Sequence, residues 1–350
     1  MSPEPMTPPR RDASPIFEHF RGVYATELLT AAVAHFNLFG LLAESPQDAG
    51  TLGGALGLDS RPIIVLTGAL RAMGLLRVDE HGRFTPTDLA LDHLVPGAPF
   101  EVTGYIGLAA HSPGVREMVE RLKSNQPGFL TQAGQGAAYI YREGIESAME
   151  TEASARELTL ALAGRSRNVA PVLASKLPLH DAKVLLDVGG GNGLYSIAYL
   201  RSHPDLRAVV WDRPEVLKVA EEYAMEHGVQ DRLECRAGDM FSEEVPAADV
   251  ILLSNVLHDW DVSEASALVG RLAHAVPPHG RMLIHEVFMD DDLGGPLEIA
   301  LYSAALFALT EGRAYSAAEY RSWLVKGGLV PGPIVPTAIH LGVLPATPKT

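Results

Sequence analysis

The chain has 350 residues, 47% of them hydrophobic and 20% charged, which is enough for two domains with cores of their own. Its formal net charge of −15 repels nucleic acid backbones and anionic membrane surfaces, and no Lys/Arg-rich run offsets that field. The single cysteine, Cys235, excludes an intrachain disulfide, and no Cys/His cluster has zinc-ligand spacing. The expectation is a cytoplasmic protein with no bound metal.

In chain order, residues 1–15 are Pro-rich and polar, without the apolar stretch of a secretory signal, and read as a disordered tail. Residues 16–100 read as mainly helical. Ala31, Ala32, Phe36, Phe39 and Leu42 fall at spacings compatible with one helical face. A short helix is expected around Leu52 to Leu56. Asp59 or Ser60 then caps a further helix with Pro62 in its first turn and Ile63, Leu66, Leu70 and Met73 on one side. The run from Leu75 to Val78, a charged turn at Asp79 to Gly82, and Arg83 to Pro86 complete a helix–turn–helix–wing pattern. Residues 101–178 read as a helical connecting segment with Gly/Gln-rich loops around 126–136. A long helix runs from Glu157 to Leu177, where Pro171 invites a kink.

From residue 179 to 350 the pattern changes to alternating strands and helices. Apolar strands are expected at Val184–Val188, Arg207–Asp212, Arg232–Ala237, Val250–Ser254 and Met282–Val287, with helices between them. Short Val/Ile/Leu-rich runs separated by helices imply a parallel sheet covered on both faces, a Rossmann-like α/β domain. The apolar run from Ile299 to Leu309 is too short for a bilayer, which needs about 20 residues, and reads as a buried helix.

The chemistry concentrates at the carboxyl ends of these strands, where open α/β sheets bind ligands. Asp187-Val188-Gly189-Gly190-Gly191-Asn192-Gly193 closes the first strand, and its glycines permit a tight turn and a close backbone approach to a ligand. A dinucleotide fingerprint would need glycine at position 194, which is leucine, and no Gly-Lys-Ser/Thr follows, so a P-loop is excluded. Asp212 ends the second strand, where a carboxylate can accept from two vicinal ribose hydroxyls. Asp239 follows the third strand and can accept from an adenine amino group while Met240 packs on the ring. Each acid alone would pass for a helix cap or a solvated loop residue. Three successive turns of this kind suit a nucleoside bearing a cationic sulfonium better than a pyrophosphate. Asp187 and Ser254, at the tips of the first and fourth strands, complete the candidate cofactor-binding set.

The runs DVGGGNG, WDRPEV, GDMF, NVLHDWD and HEVF together resemble the class I methyltransferases of the caffeate/acetylserotonin type, a family that includes bacterial antibiotic-pathway enzymes. The resemblance covers nearly the whole chain, since the helical and winged N-terminal part also matches. It implies S-adenosyl-L-methionine as cofactor, a small methyl acceptor and an N-terminal domain that pairs two chains into a homodimer. By motif position, Gly189 and Gly191 line the methionine portion, Asp212 holds the ribose, and Asp239 with Met240 holds the adenine.

A phenolic acceptor, with an intrinsic pKa near about 10, benefits from a general base that titrates near neutrality, and histidine is the natural one. His258, in Leu257-His258-Asp259-Trp260-Asp261, follows the fourth strand on the ligand side, and the resemblance places it on the family's base. Taken alone it would read as a core or helix-start histidine, with Asp259 or Asp261 as the cap. Glu286 ends the fifth strand and can fix the imidazole tautomer, as an acid does in a catalytic triad. The plant-type pattern has a second glutamate where this chain has Ala314; Glu311 lies nearby and is the candidate replacement, with a plain helix-end acid as the alternative. Asn255, three residues before His258, stands where plant members have an aromatic wall.

The reading that follows is an O-methyltransferase of small, aromatic or polyketide-like acceptors. The alternatives are methylation at carbon or nitrogen, for instance on a 2-oxo acid, a winged-helix DNA-binding regulator, and a dinucleotide oxidoreductase. The regulator is disfavoured because the helix from Arg61 to Met73 carries only Arg61 and Arg71 as cations. The oxidoreductase is disfavoured by Leu194.

Overall fold

The computed structural model describes residues 4–126 and 152–349. Residues 127–136 of the expected Gly/Gln-rich loops lie outside them. The chain divides into two compact units, each discontinuous in sequence. One joins Ile16–Ala138 to Met289–Ser316; the other joins Met1–Pro15, Tyr139–Phe288 and Ala317–Thr350. The first unit thus takes its second segment from within the span that sequence alone assigns to the cofactor domain.

The first unit is mainly helical. Helix Ala49–Leu56 starts at Asp48, whose side chain accepts from Thr51 N, and stops at Gly57, whose φ of +67° favours glycine. Helix Ser60–Ala72 has Asp59 at its N-cap position but without a side-chain cap. That carboxylate accepts instead from Asn125 Nδ2 at 3.2 Å. The expected hairpin is present: β1 (Leu76–Val78) pairs antiparallel with β2 (Phe84–Pro86), and Asp79 accepts from the backbone N–H groups of His81 and Arg83 in the turn.

Helix Leu297–Leu309 packs against Ser60–Ala72 and is buried from Ile299 to Ala308. Burial around its whole circumference explains why it carries no charge after Glu298 in its first turn. Among the described residues no single helix is long and apolar enough to cross a membrane.

The second unit is a Rossmann-like α/β fold. Its sheet has eight strands: β3 (Val184–Val188), β4 (Arg207–Asp212), β5 (Leu233–Ala237), β6 (Val250–Ser254), β7 (Arg281–Val287), β8 (Leu329–Pro331), β9 (Val335–Pro336) and β10 (Leu341–Pro348). The order is β5-β4-β3-β6-β7-β10-β8, with β9 also on β10. β3 to β7 run parallel; β10 is antiparallel to β7, β8 and β9. Every residue of β6 is buried, as a strand covered on both faces requires. From β3 the chain winds outward to β4 and β5, then returns to β6 on the other side of β3. That reversal puts a crevice at the carboxyl ends of β3 and β6.

Helices Glu152–Lys176, Leu194–Ser202 and Pro214–Glu226 pack together, and Val262–Ala275 packs with Ala317–Lys326. Near the chain start, Asp12 accepts from Ser14 N and Ile339 N, so the described part of this segment has a fixed partner on the α/β unit.

Candidate active site

The glycine-rich run forms the turn between β3 and helix Leu194–Ser202. Gly189, Gly191 and Gly193 all have positive φ, and a Cβ on Gly189 would lie 2.9 Å from Val256 Cγ2. A Cβ on Gly191 would meet only the Gly189 carbonyl, at 4.0 Å, so that side of the turn is open to a ligand. Leu194, where a dinucleotide fold needs glycine, is fully buried in the helix that follows.

Asp187 sits beneath the turn with no solvent exposure. Its Oδ2 accepts from Ser196 Oγ at 2.8 Å, while Oδ1 has no hydrogen-bond partner among the described residues. Burial pushes its pKa up to about 7, against the opposing Ser196 bond. Asp212, at the tip of β4, accepts from Gly191 N at 2.8 Å and from Arg213 N at 2.7 Å. It therefore latches the glycine turn to the neighbouring strand. Burial raises its pKa and the two N–H groups oppose that rise.

Asp239 closes a local turn by accepting from Phe241 N and Ser242 Oγ, and the Phe241 ring stands edge-on to Trp260 with centroids 4.6 Å apart. Met240 is half-buried beside them. Acceptor carboxylates at β4 and β5, an aromatic pair and a Cβ-free turn at β3 fit an adenosine-bearing cation. The two carboxylates would repel a pyrophosphate.

His258 lies on a single 3₁₀ turn, Leu257–Asp259, just beyond β6, and is buried. Its Nδ1 is 2.5 Å from Glu286 Oε2. The other oxygen of Glu286 accepts from Val256 N and Leu257 N at 3.0 and 3.1 Å. A carboxylate receiving these amides is the acceptor in the histidine bond as well, so the proton of the neutral ring resides on Nδ1 and Nε2 carries the lone pair. Asp259 Oδ1 is 3.6 Å from that Nε2. Burial pushes Asp259 up to about 7, with the His258 charge pulling it down and Glu286 pushing it further up.

The α/β unit thus places Asp187, Gly189, Gly191, Asp212, Asp239, Met240, Ser254, His258 and Glu286 at or just beyond the carboxyl ends of five adjacent strands, β5 to β7 in sheet order. Glu311 and Ala314 belong to the helical unit, and Ala314 is buried with its N–H donating to Ser303 Oγ. Sequence reasoning did not assign Asp259, Tyr195, Phe241 or Arg165 to the site. Asp259 and Asp261 competed for the cap of helix Val262–Ala275. Asp261 takes it, accepting from Ser263 N and Glu264 N, which leaves Asp259 beside the imidazole. Arg165, on helix Glu152–Lys176, lies near enough to Asp259 and His285 to act on both electrostatically, a proximity with no signature in linear spacing.

Residues 121–329 match the O-methyltransferase domain. The 3-hydroxy-5-methyl-1-naphthoate 3-O-methyltransferase of Streptomyces sahachiroi is 34% identical over 310 residues, 88% of this chain and 86% of its own. The chain belongs to the O-methyltransferase family. As a member it is a class I enzyme that depends on S-adenosylmethionine. The crystal structure of an O-methyltransferase family 2 protein from Planctomyces limnophilus, in complex with apigenin, matches this methyltransferase with a TM-score of 0.89 and 45% identity, each chain covered to 100%. Human N-acetylserotonin methyltransferase in complex with its cofactor shares the fold, with a TM-score of 0.61, 23% identity and coverage of 98% and 100%.

Proposed function

We propose that this methyltransferase methylates a hydroxyl on a small aromatic acceptor, with His258 as general base. The supporting observation is the His258–Glu286 pair at the β6 and β7 tips, with Nε2 as the proton-accepting nitrogen. The acceptor class rests on relatives that act on a naphthoate or hold the flavone apigenin.

The bound cofactor supplies an electrophilic methyl group on a sulfonium. Gly189 and Gly191 would line its methionine portion, Asp212 its ribose, and Asp239 with Met240 its adenine; Asp187 and Ser254 support that cradle. His258 Nε2 takes the proton of the acceptor hydroxyl as the oxygen becomes nucleophilic. Glu286 keeps Nδ1–H in place and stabilises the imidazolium that forms. Burial of both groups excludes water and strengthens their attraction. Glu311 is retained as a third candidate carboxylate on its position in the sequence alone. The experiment is methyl transfer from labelled cofactor to a panel of phenols, naphthols and flavones; methylation at carbon or nitrogen only would remove the base role.

The homodimer expected from the helical unit is supported by its exposed apolar side chains. Phe20, Phe100, Tyr105 and Leu108 are each more than two-thirds exposed. Light scattering of F20E/Y105E should then report a monomer where the wild type is a dimer. A winged helix that pairs chains rather than binding DNA is favoured because Arg61 and Arg71 both bond within their own unit, Arg61 to the carbonyls of Thr310 and Gly312 and Arg71 to Asp292. A cytoplasmic setting remains the reading of the lone, partly buried Cys235.

A further inference from the structure

Asn255, the residue after β6, has a φ of +57°, a left-handed conformation that asparagine tolerates better than most residues. Its amide orientation follows from counting protons along a buried chain of side chains. Thr337 Oγ1 donates to Leu341 O, so it accepts from His285, whose Nε2 is 3.0 Å away. His285 is fully buried, and burial drives its pKa down to about 3, so the ring is neutral and its one proton is on Nε2. Its Nδ1 is then an acceptor, and Ser254 Oγ, at 2.8 Å, donates to it. With its own proton committed, Ser254 can only accept from Asn255.

The NH₂ group of Asn255 therefore faces Ser254 Oγ and Tyr195 OH, each at 3.2 Å. The opposite atom, Oδ1, is buried and has no hydrogen-bond partner among the described residues. A buried amide oxygen without a donor is costly and marks a position that a ligand can satisfy.

The surroundings identify the ligand group. Tyr195 is the second residue of the helix that leaves the glycine turn, and Val256 presses on Gly189 from the β6 side. On the cofactor reading above, which this inference rests on, the ribose hydroxyls and the adenine amine go to Asp212 and Asp239, on the β4 and β5 side of β3. Asn255 stands on the other neighbour of β3. The α-ammonium at the amino-acid end of S-adenosylmethionine, which Gly189 and Gly191 line with backbone alone, is the donor to which no side-chain acceptor has yet been assigned. We propose that Asn255 Oδ1 accepts a hydrogen bond from that ammonium group, which makes Asn255 a cofactor-binding residue. The hydroxyl of the methyl acceptor is the weaker candidate, since its proton goes to His258.

Calorimetry on the full chain tests this with two probes, S-adenosylhomocysteine and its deamino analogue, in which hydrogen replaces the amino group. Asn255→Gly is the variant to use, because glycine accepts the positive φ. The expected result is a loss of about tenfold or more in affinity for S-adenosylhomocysteine, the usual scale for a bond to a charged donor, with the deamino analogue unchanged. The unchanged analogue also shows that the variant is folded. Equal losses for both probes would make Asn255 a structural residue and overturn the proposal, as would unaltered affinity for S-adenosylhomocysteine. A raised acceptor KM with unaltered cofactor affinity would move Oδ1 to the acceptor. Failure of the wild type to bind S-adenosylhomocysteine would instead remove the cofactor reading beneath it.

Discussion

Glu286 binds both the ring of His258 and the backbone that carries it. Oε2 lies 2.5 Å from Nδ1, and Oε1 takes the N–H groups of Val256 and Leu257. One buried carboxylate thus sets the tautomer and the position of the base together. His258→Ala should lower kcat about 10²- to 10⁴-fold, the usual contribution of a general base, with S-adenosylhomocysteine affinity preserved. Glu286→Gln should also lower kcat, because an amide NH₂ opposes either the imidazole N–H or the two backbone N–H groups. Steady-state kinetics with calorimetry separates these effects; wild-type turnover in His258→Ala removes the base role.

Asp259 places a second carboxylate 3.6 Å from the basic nitrogen. Burial raises its pKa to about 7, so its charge changes near neutral pH. Below that pH it is protonated and lends His258 no negative neighbour; above it, the anion favours proton uptake at Nε2. The expected pH profile of kcat has a rising limb near neutrality that Asp259→Asn loses or displaces. Superimposable profiles for the two proteins would remove Asp259 from the reaction.

The five parallel strands were legible in the sequence because they are short Val/Ile/Leu-rich runs between helices, as Val250–Ser254 is, although β5 is largely exposed. β8, β9 and the antiparallel β10 were not read, and they make the sheet mixed rather than parallel. The glycine turn and Asp212 were legible because strand tips have fixed positions in an alternating pattern. Relations across space were not. Ser196 beneath Asp187, Arg165 near Asp259 and the proton chain from Thr337 to Asn255 join residues whose spacing follows no period. Met289–Ser316 was read with the strands around it because its apolar helix looks the same whichever core buries it. That helix packs on Ser60–Ala72, and only the tertiary structure selects between the two units.

Asp187 links stability to pH. Its pKa is about 7 in the folded chain against a model-compound value of 3.8. Below about pH 4 both states hold the proton. Between about 4 and 7 the unfolded chain releases it while the folded chain retains it, so stability falls as pH rises and the loss is complete above the folded value. Three pH units correspond to a ceiling of about 4 kcal/mol. Asp187→Asn cannot ionise and should flatten this fall by roughly 1–4 kcal/mol in urea titrations at pH 4.5 and 8. Asp259 contributes a slope of the same sign, so a residual fall is expected. Identical slopes in variant and wild type would mean that Asp187 does not titrate in this range.

Arg61 offers a test of what the helical unit is for. Its Nε donates to Asn125 Oδ1 at 2.9 Å, Nη1 to Thr310 O and Gly312 O at 2.9 and 3.1 Å, and Nη2 to Asn125 O at 3.2 Å. The guanidinium also lies 4.6 Å from the centre of the Phe307 ring. A planar fork meets this set of acceptors, whereas the single ammonium of lysine cannot span it. Arg61→Lys should therefore destabilise the unit although the charge is kept, and Arg61→Met should do so further, by about 2–4 kcal/mol, because buried carbonyls lose a charged donor. A residue that served to contact nucleic acid phosphates would behave in the opposite way: lysine would substitute well, and the melting temperature would not move. Thermal melts of the two variants beside a gel-shift assay distinguish the cases. Unchanged melting together with DNA retention by the wild type, lost in Arg61→Met, would restore the regulator reading of this unit.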